Sequence, residues 1–223
     1  LTDTCQSTLT VQDCGPLVAR CRDMLICLNP QGQATITPQQ IDNGSSVSCG
    51  ASLTLSLDQS SFDCVNLGSN TIQLTAEDDS GNTASCTATV TVEDCTAPNA
   101  TCQDITLCLD ATGNLTLNAD QLDNGSTDAC DQTLTLSTDN TSFTCADLGD
   151  NTVQLFVQHE AGNADTCQSS ITIQDCTPPT AQCQDVSACL EGAGILVPDA
   201  ALIDNGSSDA CTQTLTLSVI ADT

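Results

Sequence analysis

The sequence predicts an all-β protein built as a tandem array of small, disulfide-rich β-sandwiches. Three observations carry this expectation: an ungapped internal repeat of 81 residues, cysteines that obey the same period, and short threonine-rich segments with period-two alternation. The phrases "QIDNGSSVSC", "QLDNGSTDAC" and "LIDNGSSDAC" place Asp42, Asp123 and Asp204 at equal steps. The same offset maps Cys14 onto Cys95 and Cys176, Cys21 onto Cys102 and Cys183, and Cys27 onto Cys108 and Cys189. It also maps Cys49 onto Cys130 and Cys211, Cys64 onto Cys145, and Cys5 onto Cys86 and Cys167. A period this long exceeds the roughly 20–50 residues of solenoids and propellers, so each copy is large enough to be a small domain.

The elements follow in order along residues 96–176. "ITLCLD" (105–110) alternates, with Ile105, Leu107 and Leu109 on one face. A turn at Gly113-Asn114 leads into Leu115 and Leu117. "NADQLDNG" reads as one helical turn with Asn118 as N-cap and Gly125 as its stop, and the preceding copy places Pro38 just inside the start. "TLTLS" (133–137) and "NTVQLFVQ" (151–158) are strands, and Ile171 with Ile173 continues the pattern in the last one. Phe62 and Phe143 stand at matching positions and read as core plugs; with no Trp or Tyr the cores are small and aliphatic, so disulfides supply stability.

The repeat sets the domain expectations. Residues 1–14 match 82–95 and 163–176 and read as the last strand of an incomplete repeat, followed by repeats at 15–95 and 96–176 and the first part of another at 177–223. Two readings follow. The sequence is a stretch of a longer repeat protein, or it is a subunit whose first strand completes a neighbour's broken repeat.

Composition removes several function classes. A net charge of −27 with two arginines and no lysine leaves nothing to displace phosphate counterions, which excludes nucleic acid, and an anionic membrane surface is equally disfavoured. No run of 18 apolar residues predicts membrane insertion. Regular cysteines without a C-x-x-C pair point to disulfides in an oxidising, extracellular setting rather than to zinc. His159 is the only histidine, falls in a turn and aligns with Asp78, and no Cys/His or Ser/His pairing repeats. An enzyme is not expected.

The order "CQDITLCLDATGN…DNGSTDAC…SFTCADLGDNTVQL…AGNADTC…ITIQDCTPP" resembles the hyalin-type (HYR-like) immunoglobulin-like repeats of large secreted proteins, including giant surface adhesins and gliding filaments of Bacteroidota. The resemblance covers the whole sequence. It implies immunoglobulin-like sandwiches and an adhesive or scaffolding role outside the cell. Two cysteines per repeat, at the Cys14 and Cys27 positions, exceed the family pattern.

Six cysteines per repeat allow 15 connectivities. The sandwich that the resemblance implies often runs its first strand parallel beside its last, and the expected pairs are then Cys21 with Cys86 and Cys27 with Cys95, and likewise Cys102 with Cys167 and Cys108 with Cys176. Cys130 and Cys145 bracket one strand and its turn, so a local Cys130–Cys145 bond is expected, with Cys49–Cys64 as its counterpart. Cys108 lies off the Ile105/Leu107/Leu109 face, which leaves a bond to a neighbouring repeat or to another chain as its alternative.

The "DNGS" phrase reads first as a corner, since Asn and Gly accept positive φ and Asp bonds its own backbone. Calcium is the rival: the repeated acids Asp13/Asp94/Asp175, Asp23/Asp104/Asp185 and Asp42/Asp123/Asp204 offer oxygen ligands, two of the groups flanking each junction, though no D-x-D-x-D-G loop exists. No other cofactor is expected. Glycan acceptor sequons stand at Asn43, Asn99, Asn114, Asn124, Asn140 and Asn205. Junctions such as "DCTAPNATC" are short and proline-bearing, hence stiff. The sequence therefore reads as an extracellular fibre or adhesin stalk whose partners are flanking repeats or copies of itself. The rivals are a module that binds a glycan or a protein on a cell surface, and a strand-exchanging filament subunit.

Overall fold

The computed structural model describes residues 3–8, 16–47, 52–131, 133–187, 199–212 and 214–219. They form two compact units. The first takes in the chain through Ala97 together with Asp128–Gln132 and Glu160–Asn163; the second takes in the rest.

In the first unit the strands are β1 (Met24–Leu28), β2 (Gln33–Thr35), β3 (Leu53–Leu57), β4 (Ser61–Asp63), β5 (Gly68–Asp78) and β6 (Thr83–Asp94). One sheet has the order β1-β6-β5-β3, and β2 pairs with β4 in a second. β5 is antiparallel to both β6 and β3, whereas β1 runs parallel to β6, with Met24 opposite Val90 and Leu28 opposite Asp94. Alternation then sends Ile72, Leu74 and Ala76 of β5, and Ala88, Val90 and Val92 of β6, into the interior. Phe62, opposite Ala34 in the small sheet, joins the cluster with Leu28, Ile36 and Ile41.

The second unit repeats the plan with β7 (Ile105–Cys108), β8 (Asn114–Thr116), β9 (Thr135–Thr138), β10 (Ser142–Thr144), β11 (Gly149–Gln158) and β12 (Ala164–Gln174). The large sheet is β7-β12-β11-β9 and the small one β10-β8. Its core gathers Leu109, Leu117, Leu122, Phe143, Val153, Leu155, Val157, Ile171 and Ile173. Among the described residues, the fully buried members of each core cluster are one phenylalanine and otherwise aliphatic side chains, with cysteines packed around them. Both phenylalanines are buried, as their matching positions predict.

The expected helical turn is Pro38–Ile41 in the first unit, a tighter 3₁₀ turn Ala119–Gln121 in the second, and Ala200–Ile203 further on. The Gln40 side chain accepts from the Thr37 N–H at 2.7 Å, and Gln121 accepts from the Asn118 N–H at 3.0 Å. These bonds satisfy donors that a helix start leaves free. The stop differs from expectation. The second turn ends at Leu122, and Gly125, at φ 83°, lies beyond it inside the following corner. His159 follows β11 directly, where the turn begins, and is buried.

Candidate functional site

The chemistry of this molecule is concentrated in its cysteines, and strand register decides which of them meet. Cys21 joins Cys86 and Cys27 joins Cys95 in the first unit, with Cα separations of 5.8 and 5.5 Å. Cys102–Cys167 and Cys108–Cys176 repeat them in the second at the same separations. The cause is the parallel strand pair. With Cys27 opposite Glu93 and Cys108 opposite Gln174, the residue two past each partner lies within disulfide reach. Cys21, Cys86, Cys102 and Cys167 pack against the cores, whereas Cys27, Cys95, Cys108 and Cys176 are exposed. Cys108 does point off the core face, yet it closes within its own unit.

The third bond overturns the local pairing. Cys64 joins Cys130 and Cys145 joins Cys211, each across 66 residues, with Cα separations of 5.2 and 5.1 Å. Neither Cys130–Cys145 nor Cys49–Cys64 forms, because Cys145 and Cys64 are already taken. The physical reason is that β9 and β10 are not a hairpin: β9 pairs with β11 in the large sheet, and β10 pairs with β8 in the small one. The two cysteines therefore leave the strand-turn-strand segment from different sheets.

Cys64 opens a 3₁₀ turn, Cys64–Asn66, capped by the Asp63 carboxylate, which accepts from the Val65 N–H. Its sulfur lies 3.8 Å from the Gly32 carbonyl oxygen and 3.4 Å from that of Ala129. The seat requires glycine at position 32. A Cβ there would stand 2.6 Å from the Cys64 Sγ, and φ is +69°. Gly113 occupies the same seat for Cys145 and Cys211. On the other side the Asp128 carboxylate accepts from the Cys130 N–H at 2.8 Å and so fixes the incoming loop.

The "DNGS" phrase is a corner with a definite task. Asp42 accepts from the N–H groups of Ser45 at 2.9 Å and Gly44 at 3.2 Å, and Gly44 has φ 84°. Asp123 and Asp204 do the same with Ser126 and Gly125, and with Ser207 and Gly206. Burial pushes the Asp42 and Asp123 carboxyls up, but hydrogen bonds from the serine side chain and from the serine and glycine backbones outweigh it and hold both below the usual range. Arg22 adds to this at Asp42. At Asp204 the hydroxyl and N–H of Ser207 lead the lowering. The corner also pairs with the segment that carries the first cysteine: Cys21 bridges Asp42, Cys102 bridges Asp123, and Cys183 bridges Asp204. It thus positions one end of a disulfide.

The other repeated acids are engaged by backbone as well. Asp23 accepts from the Thr89 N–H and Asp104 from the Ser170 N–H, each at 2.7 Å, which adds a rung beside the parallel pair. Asp94 accepts from the N–H and hydroxyl of Thr96, and Asp175 from those of Thr177. The second oxygen of Asp94 is buried without a hydrogen-bond partner. Asp185 is exposed. Among the described residues, no three of the predicted aspartates come within ligating distance of one another. Asp13, Cys14, Cys49 and Cys189 lie outside the described residues. All six sequon asparagines, Asn43, Asn99, Asn114, Asn124, Asn140 and Asn205, are exposed. Cys5 and Cys183 are unpaired and exposed. The shallow concavity over β2 and β4 is lined by Gln33, Ala34, Thr35, Ser61, Phe62 and Asp63, a set without a histidine, cysteine or lysine.

Residues 37–92, in the first unit, match the family model of the HYR domain. No curated protein matches the sequence. Among solved structures, human mucin-like protocadherin EC1-2 is similar at 16% identity and a TM-score of 0.36, over 74% of this chain and 100% of that one. Cadherin domains 1–4 of protocadherin gamma B7 give 14% identity and a TM-score of 0.37 over 77% of this chain, which spans 54% of theirs. Mouse clustered PcdhgC3 EC1-3 gives 13% and 0.35, over 71% of this chain and 66% of that one. The HYR match agrees with the immunoglobulin-like sandwich that the sequence predicts.

Proposed function

We propose that this chain is a non-enzymatic, extracellular structural module, a disulfide-stapled array that serves as a fibre or an adhesin stalk. The observation that carries this reading is the pair of bonds joining the first strand of each unit to its last, Cys21–Cys86 with Cys27–Cys95, and Cys102–Cys167 with Cys108–Cys176. Tension crosses the first unit through sulfur, from Cys21 to Cys86 and from Cys27 to Cys95, so residues 28–85 carry no load. The path then runs along the peptide from 95 to 108 and crosses again to Cys176. A catalyst or a reversible binder gains nothing from shielding its whole core in this way, whereas a tether does. The acidic surface keeps such tethers apart and soluble.

Single-molecule stretching of the oxidised chain tests the reading. The expected record shows no stepwise lengthening before detachment, and steps on the order of 200 Å per unit once a reductant is present, from about 3.5 Å per released residue. Stepwise unfolding of the oxidised chain would refute it and favour a ligand-binding module in which the bonds merely stabilise the fold.

A further inference from the structure

The in-unit bonds alone leave a gap. Cys21–Cys86 and Cys27–Cys95 close loops that end at residue 95, and the next pair begins at residue 102. Every peptide bond from Cys95 to Cys102 would then be a single point of failure. The third bond covers this stretch, because Cys64–Cys130 spans it from both sides. Cys145–Cys211 likewise spans the stretch that follows Cys176. Every peptide bond from Cys21 to Cys211 thus lies inside at least one disulfide loop.

The segment delivering the second sulfur also reaches outside its own repeat. Asp128–Gln132 belongs by sequence to the second copy and packs with the first unit, where the Gly32 turn leaves room for the bond. This placement is repeated, since Cys211 meets Cys145 beside Gly113 in the same manner. We infer that the Cys64–Cys130 class of bond has a function of its own: it keeps the array in one piece after its backbone is cut between repeats. An array carrying it has two covalent routes from repeat to repeat, one through the junction peptide and one through sulfur. An extracellular endoprotease that cleaves the junction therefore leaves the array joined, and severing it takes a second event, either a further cut or reduction.

The chain itself supplies a clean assay, because its only trypsin sites are Arg20 and Arg22. Asn99→Arg introduces a third in the exposed junction. After digestion, residues 23–99 and 100–223 are expected to migrate together without reductant and to separate fully with it. The Asn99→Arg/Cys64→Ser chain is expected to separate in both conditions. Disulfide mapping of the unsubstituted chain, cut at its acidic residues, decides the matter should the serine variant fail to fold or the introduced site resist trypsin. A Cys64 peptide joined to a Cys130 peptide supports the inference. Separation of the cut single variant without reductant, or Cys64 recovered with Cys49, overturns it.

Discussion

Removing the outer clasp of the first unit, Cys27→Ser with Cys95→Ser, measures what nesting does to a disulfide. Taken alone, the bond closes a loop of 68 residues, for which loop entropy gives about 4 kcal/mol. It does not act alone, because Cys21–Cys86 already closes most of that loop. With the inner bond in place, the outer one closes only a ring of 17 residues, 21–27 and 86–95, which is about 3 kcal/mol. Both cysteines are exposed and neither packs against the core, so serine leaves no core cavity and the loss is almost purely closure entropy. The assay is amide hydrogen exchange under native conditions, read at Ile72, Leu74 and Val90, which are buried on β5 and β6. At about 1.4 kcal/mol per decade, protection of these amides should fall by roughly two orders of magnitude. Leu155 and Ile171 of the second unit serve as the internal reference and should not change. The inner pair is expected to cost more, because Cys21 and Cys86 also pack against the core. A fall of less than tenfold, or an equal fall in both units, would refute the nested-loop reasoning.

Three further outcomes follow from the same geometry. Gly32→Ala should expose two additional thiols to a thiol reagent and lower stability by more than the roughly 1–2 kcal/mol of a left-handed backbone position, because its Cβ would sit on the Cys64 sulfur. Gly81→Ala, at φ 83° with open space around it, is the control that should lose only the backbone part. Asp42→Ala should cost about 1 kcal/mol, as for a lost side-chain cap, and by the same amount in calcium and in chelator; a calcium-dependent stabilisation abolished by the substitution would make the corner a ligand. The Asp42, Asp123 and Asp204 carboxyls are held below their ordinary values, so their contribution is present above the unfolded carboxyl pKa and lost as pH falls through the folded ones. In about 0.5 M salt, where screening suppresses the repulsion of a −27 chain, the melting temperature should stay flat above that range and drop below about pH 4. A melting temperature that rises on acidification in salt would contradict the assignment.

The local features were legible because their chemistry is local. "DNGS" is a corner for reasons contained in four residues, and the alternation of β5, β6, β11 and β12 marks core positions directly. The in-unit clasps were reachable as well, through the resemblance that implies a parallel first and last strand. The inter-repeat bond was not, and the obstacle is the periodicity that made the rest readable. A repeat shows which positions are equivalent, but not whether a residue finds its partner in its own copy or in the adjacent one. Cys130 could bond Cys145 or the equivalent cysteine one period earlier, Cys64, and either choice satisfies the 81-residue pattern at every copy. Loop entropy favours the nearer partner by about 1 kcal/mol or a little more, which is why local closure was the natural expectation. That margin is small against tertiary geometry, in which β9 and β10 belong to different sheets and Asp128–Gln132 packs with the preceding unit. A faint signal did exist. Gly32 and Gly113 recur with the period, each with a positive φ beside a disulfide sulfur. A glycine held at a turn accounts for the φ by itself, so only the spatial arrangement shows that the same glycine also leaves room for a cysteine from the next repeat.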